Sequence, residues 1–118
     1  MAKILIVDDA LFMRHRAGQL LREKGHNVVE AENGEVAVTK YQAEQPDIVL
    51  LDITMPEKDG IQTLKEILAF DKKAKVVMLT AVSQKAMMME AVKAGAKDYI
   101  LKPFDPEKVL AVVEKILK

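Results

Sequence analysis

Short runs of consecutive apolar residues alternate along this chain with longer stretches of mixed character. The short runs fall at 4–7, 28–29, 48–51, 76–79 and 99–101. All but the second are continuously apolar, the pattern of strands covered on both faces of a sheet. The longer stretches, near 11–24, 34–44, 60–70, 85–94 and 105–117, have the length of helices. In the last of them Val109, Val112, Val113 and Ile116 recur at three- and four-residue spacing and give one apolar face. Gly25 and Gly95 follow lysine-containing helix ends, where a left-handed cap needs a residue without a side chain. Asp105-Pro106-Glu107 reads as a helix cap, a proline at the first helical position and an acid facing the helix dipole. Five strands alternating with five helices predict an α/β fold, a doubly wound parallel sheet flanked by helices on both faces. The weak run Val28-Val29 is expected at a sheet edge.

The 118 residues amount to one domain, expected to span 1–118 with no output domain attached. Lys+Arg and Asp+Glu are equal at 18 each, so no basic excess points to nucleic acid or to an anionic membrane surface. There is no cysteine, which excludes disulfides, thiolate metal sites and cysteine nucleophiles. The first apolar run is too short for a signal peptide and no run approaches membrane-spanning length, so a cytoplasmic location is expected.

In open parallel sheets the working residues lie at the carboxyl ends of the strands. Asp8 and Asp9 follow the first run, Asp52 the third, Thr80 the fourth and Lys102 the fifth. Three carboxylates, a hydroxyl and an ammonium are thus delivered to one rim. Polar residues commonly end strands, and it is their joint occurrence that points to a site. Carboxylates gathered this closely repel one another and call for a compensating cation. Lys102 supplies one charge; oxygen ligands with room for water suit a hard ion, Mg²⁺ before Ca²⁺ or Zn²⁺. A metal and a lysine flanking an aspartate are the parts needed to accept and stabilise a transferring phosphoryl group.

Val7-Asp8-Asp9, the segment from Leu51-Asp52-Ile53-Thr54-Met55-Pro56 through Asp59-Gly60, Thr80-Ala81 and Lys102-Pro103-Phe104 resemble the receiver domains of bacterial response regulators. The likeness runs through essentially the whole chain and is greatest to the family's chemotaxis members. It implies a flavodoxin-like sheet of order 2-1-3-4-5, which the apolar pattern alone does not specify. It implies that Asp52 is the phosphoacceptor and that the chain is a signalling protein, catalysing no more than its own phosphorylation and dephosphorylation. By the same resemblance Asp9, Asp52 and the Thr54 main-chain carbonyl would hold Mg²⁺, with Asp8 acting through a bound water. Lys102 would pair with a phosphoryl oxygen, ahead of a cis bond to Pro103. Thr80 would move toward the phosphoryl group and Tyr99 would turn inward behind it. The implied partners are a sensor histidine kinase as donor, a flagellar motor switch protein or other output protein, and a phosphatase.

Other positions carry weaker signals. Met87, Met88 and Met89 span too wide an arc of a helix to face inward together, so at least one should be exposed. They read either as loose core packing or as part of an adaptable contact surface, with Met88, Lys97 and Tyr99 as the candidate residues. His15 and His26 are isolated from one another and from the acidic cluster, and read as surface side chains. Thr54 and Ser83 occupy positions that vary within the resembled family and bear on how long a phosphoryl group persists. A haloacid-dehalogenase-like phosphatase would also use a strand-end aspartate, but it needs a second acid two residues on, where Thr54 stands. A flavin carrier of similar architecture would place a phosphate where Asp8 and Asp9 repel it, and there is no Gly-rich nucleotide loop. Within receivers, a phosphorelay intermediate that passes its phosphoryl group to a histidine phosphotransfer protein remains the alternative to chemotaxis.

Overall fold

The computed structural model describes residues 2–118, and Val82 through its backbone alone. Five strands and five helices alternate: β1 (Lys3–Val7), α1 (Leu11–Glu23), β2 (Asn27–Ala31), α2 (Gly34–Glu44), β3 (Ile48–Asp52), α3 (Gly60–Phe70), β4 (Val76–Thr80), α4 (Lys85–Ala94), β5 (Asp98–Leu101) and α5 (Pro106–Leu117). A single 3-10 turn, Val82–Gln84, leads into α4. All four pairings are parallel and the order is β2-β1-β3-β4-β5. The predicted doubly wound sheet and its order are therefore present.

Side chains alternate between the two faces of a strand, so each run of apolar residues feeds two separate cores. Leu5, Val7, Val49, Leu51, Val76 and Met78 pack on one side with Tyr41, Leu64, Ile67 and Ala91 from α2, α3 and α4. Ile4, Ile6, Ile48, Leu50, Val77, Leu79 and Ile100 pack on the other with Ala17, Leu21, Val109 and Val113 from α1 and α5. This double coverage is why β3 and β4, and β1 after its first residue, carry no polar residue before their ends.

The outer strands differ. β2 is longer than its two valines suggest, and its half-buried pattern is that of the predicted edge. β5, by contrast, is not covered on both faces as its apolar run implies. Ile100 is buried, but Tyr99 and Leu101 are each 41% exposed. The strand is the second edge of the sheet, and α4 leaves its outer face partly open.

The helix ends follow the expected chemistry. Asp105 caps α5 by accepting from the Glu107 N–H at 3.0 Å, with Pro106 at the first helical position. Gly95 closes α4 at φ +125°, a left-handed conformation that favours glycine, and Gly25 follows α1 at φ +90°. α2 ends instead in left-handed Gln45 (φ +46°), which no glycine announces.

Candidate functional site

The strand ladders run on into the rim and hold its residues in register. Val7 pairs with Leu51, so the next residues, Asp8 and Asp52, emerge side by side. The Asp8 N–H donates to the Ala31 carbonyl at 3.2 Å and the Ile53 N–H to the Leu79 carbonyl at 3.1 Å. Lys102 donates its backbone N–H to the Thr80 carbonyl at 2.7 Å, which ties the hydroxyl-bearing strand end to the lysine. The Lys102–Pro103 bond is cis, as the resemblance implies.

The side chains converge as the sequence predicts. Asp8 and Asp52 are buried at 1% and 5% exposure, while Asp9 is exposed. One oxygen from each of these three lies within 4.8 Å of the others. Lys102 Nζ stands 3.2 Å from Asp8 Oδ2 and 3.2 Å from Asp52 Oδ1. Burial pushes the Asp52 carboxyl up to about 6; Lys102 pulls the other way, Asp8 adds to the rise, and the Thr54 backbone N–H favours the ionised form. Burial alone would lower Lys102, but the Asp52 and Asp8 carboxylates outweigh it and hold the ammonium above its ordinary value. One lysine, paired with Asp8 and Asp52, thus stands in a cluster of three acids, and the site keeps a negative excess.

Thr80 is buried at 1%, and its hydroxyl lies 3.3 Å from the Ala81 carbonyl. Behind it is a cavity of about 170 Å³ lined by Thr80, Ala81, Lys85, Met88, Tyr99 and Leu101. Tyr99 therefore borders an open space next to Thr80, with its ring partly in solvent. In the methionine run, Met89 is the exposed member at 50%, while Met87 and Met88 are half-buried and pack against the core that holds Met78 and Leu64. Met88 is half-buried and lines the cavity, whereas Met89 is exposed. Lys97 is exposed, with its backbone N–H held by the Val76 carbonyl. His15 is exposed, but His26 is not a plain surface residue: it is half-buried, and its Nδ1 accepts from the Ala2 N–H at 3.2 Å.

Two contributors gave no distinct signal in the pattern. Gln84 accepts from the Ala81 N–H at 2.8 Å, and its amide reaches the Thr54 hydroxyl, so it bridges the loops after β3 and β4. Gly60 packs against the strand end that bears Asp52, and a Cβ there would lie 2.2 Å from the Asp52 carbonyl oxygen. The proximity of Gly60 to Asp52 in sequence hints at this; the contact itself is tertiary.

A parallel sheet of this order with an acidic rim and a strand-end lysine defines a receiver, and residues 4–114 match the model of the response regulator receiver domain; the chain belongs to that family. It is 51% identical over 119 residues to the chemotaxis protein CheY of Listeria monocytogenes, covering 100% of both chains. Among solved structures it is similar to the chemotaxis protein CheY4 of Vibrio cholerae, with a TM-score of 0.93, 30% identity and 99% of each chain covered. It also matches NtrX of Brucella abortus with a TM-score of 0.94 and 30% identity, covering 98% of this chain and 27% of that one. Receiver domains bind Mg²⁺ at an acidic pocket, and the donor set here fits such an ion: it is all oxygen, it carries excess negative charge, and exposed Asp9 leaves room for water.

Proposed function

We propose that this chain is a stand-alone response regulator of chemotaxis that accepts a phosphoryl group on Asp52 from a sensor histidine kinase. The observation that carries the reading is the environment of Asp52, a buried carboxylate 3.2 Å from the Lys102 ammonium and beside two further acids. The full-length match to a chemotaxis protein supports both the pathway and the single domain spanning 1–118.

In this reading an ionised Asp52 oxygen attacks the phosphorus of a phosphohistidine. The new O–P bond forms as the P–N bond breaks, and the electron pair stays on the imidazole nitrogen, which takes up a proton. Asp9, Asp52 and the Thr54 carbonyl would hold Mg²⁺, with Asp8 reaching it through water. When bound, Mg²⁺ neutralises charge on the transferring oxygens. Lys102, oriented by Asp8, pairs with another phosphoryl oxygen. The Thr80 hydroxyl exchanges its contact with the Ala81 carbonyl for the phosphoryl group, and Tyr99 turns into the space beside it. The altered face around α4 and β5, with Tyr99, Lys97 and Met89, is then read by a flagellar motor switch protein, and a phosphatase resets it. The protein signals rather than turning over a substrate. No helix among the described residues is long and apolar enough to cross a membrane, and the proposed setting is the cytoplasm.

Transfer from a radiolabelled, autophosphorylated histidine kinase tests the reading. Label should pass to the parent chain and not to Asp52→Asn, and the labelled chain should bind the motor component more tightly. Failure to take label, or equal binding in both states, would overturn it.

A further inference from the structure

Arg14 sits in the first turn of α1, where the positive end of the helix dipole disfavours a cation. The side chain does not extend into solvent; it is 12% exposed. Its Nη1 donates to the main-chain carbonyl of Asp8 at 2.6 Å, and its Nε donates to Glu30 Oε1 on β2 at 3.0 Å. Glu30 is itself braced, because Arg22 on α1 donates to its other oxygen at 3.2 Å. The guanidinium fork is therefore fixed at one end by the sheet edge and grips the peptide between Asp8 and Asp9 at the other.

That peptide is the hinge of the acidic rim. The Asp8 carboxylate is already held, by the Ala10 N–H at 2.9 Å and by Lys102 at 3.2 Å. Asp9 has no such support: it is exposed, and among the described residues no donor holds its carboxylate. Its direction follows from the backbone that carries it, and the plane of that backbone is set by what holds the Asp8 carbonyl.

We infer that Arg14 is a positioning residue for the metal site, fixing through the Asp8 carbonyl the angle at which Asp9 meets Asp8 and Asp52. The inference rests on the reading of Asp8, Asp9 and Asp52 as a Mg²⁺ site. It makes a prediction opposite in sign to simple electrostatics. Removing a cation close to an acidic cluster should tighten Mg²⁺ binding by relieving repulsion. Removing a residue that orients a ligand should weaken it, commonly by about tenfold or more.

The test is Mg²⁺ titration of the parent, Arg14→Gln, Arg14→Lys and Asp9→Ala chains, followed through the amide resonances of residues 8, 9 and 52. Urea unfolding of each chain in chelator runs alongside. Arg14→Gln should raise the Mg²⁺ dissociation constant about tenfold in chain that is still folded. Arg14→Lys, which keeps the charge but lacks the fork, should not restore it. Unchanged or tighter Mg²⁺ binding in Arg14→Gln, with binding lost in Asp9→Ala, overturns the role of Arg14 and leaves the site reading standing. Lower stability of the Arg14 variants with Mg²⁺ affinity unaltered marks a purely structural residue and also overturns it. Binding undiminished in Asp9→Ala overturns the site reading, and the inference with it.

Discussion

Lys102 places one ammonium nitrogen 3.2 Å from Asp52 and 3.2 Å from Asp8, so a single cation from the end of β5 serves two buried carboxylates from β1 and β3. Removing it leaves both acids without their partner in a poorly solvated site. Lys102→Ala should therefore lose about 1–3 kcal/mol of stability at neutral pH in chelator. It should also bind Mg²⁺ more tightly, since the metal no longer competes with an ammonium. Urea unfolding and Mg²⁺ titration of the same variant check both signs.

Asp52 links stability to pH. Its folded-state carboxyl is raised to about 6 from an ordinary 3.8, so folding favours the protonated acid. That contribution is fully present below about pH 4 and is lost as pH rises through 6. Without metal, Asp52→Asn should be the more stable protein at pH 7, by about 1–3 kcal/mol given the distance between those two values. The gap between variant and parent should narrow toward pH 4. Urea midpoints measured in chelator across this range would show it, and a gap independent of pH would contradict the assigned environment.

Gly60 packs against backbone, not against a side chain that could yield. A Cβ there would meet the Asp52 carbonyl oxygen at 2.2 Å and Ile53 Cα at 2.7 Å. Gly60→Ala should cost about 1–3 kcal/mol, the range for overpacking. It should also slow phosphorylation by a small acyl phosphate, because the strand end bearing the acceptor has to shift. Unfolding curves and single-turnover phosphorylation report the two effects separately.

Tyr99 offers a direct optical view of the switch. The chain has two tyrosines and no tryptophan. Tyr41 is buried at 3% with its hydroxyl donating to Asp71 at 2.9 Å, while Tyr99 is 41% exposed. Acrylamide quenching of the native protein should therefore report mainly Tyr99. If phosphorylation shifts its ring toward the cavity beside Thr80, quenching should fall. Thr80→Ala should weaken that response.

Much of this arrangement was legible in the chain because a central parallel strand has to be apolar until it reaches the rim. That constraint exposed Asp8, Asp52 and Thr80 as the first polar residues after continuous apolar runs. It misled at β5, where Tyr99-Ile100-Leu101 reads as a covered strand and is in fact an edge. An apolar run does not tell how far a neighbouring helix extends over it. The choice of Met89 over Met88 as the exposed methionine depends on the rotation of α4, which the sequence limits without fixing. Arg14 and Gln84 were silent for a related reason. Arg14 acts through the Asp8 carbonyl and Gln84 through the Ala81 N–H and the Thr54 hydroxyl, and a lone Arg or Gln on a helix or turn carries no period or spacing to mark it.

Every proposed role at this rim depends on Asp52 being the phosphoryl acceptor. The intact mass of the parent and of Asp52→Asn, each incubated with a small acyl phosphate and Mg²⁺, tests it most directly. The parent should gain the mass of one phosphoryl group, and the folded Asp52→Asn chain should gain none. An Asp52→Asn chain phosphorylated to the same yield as the parent would contradict it.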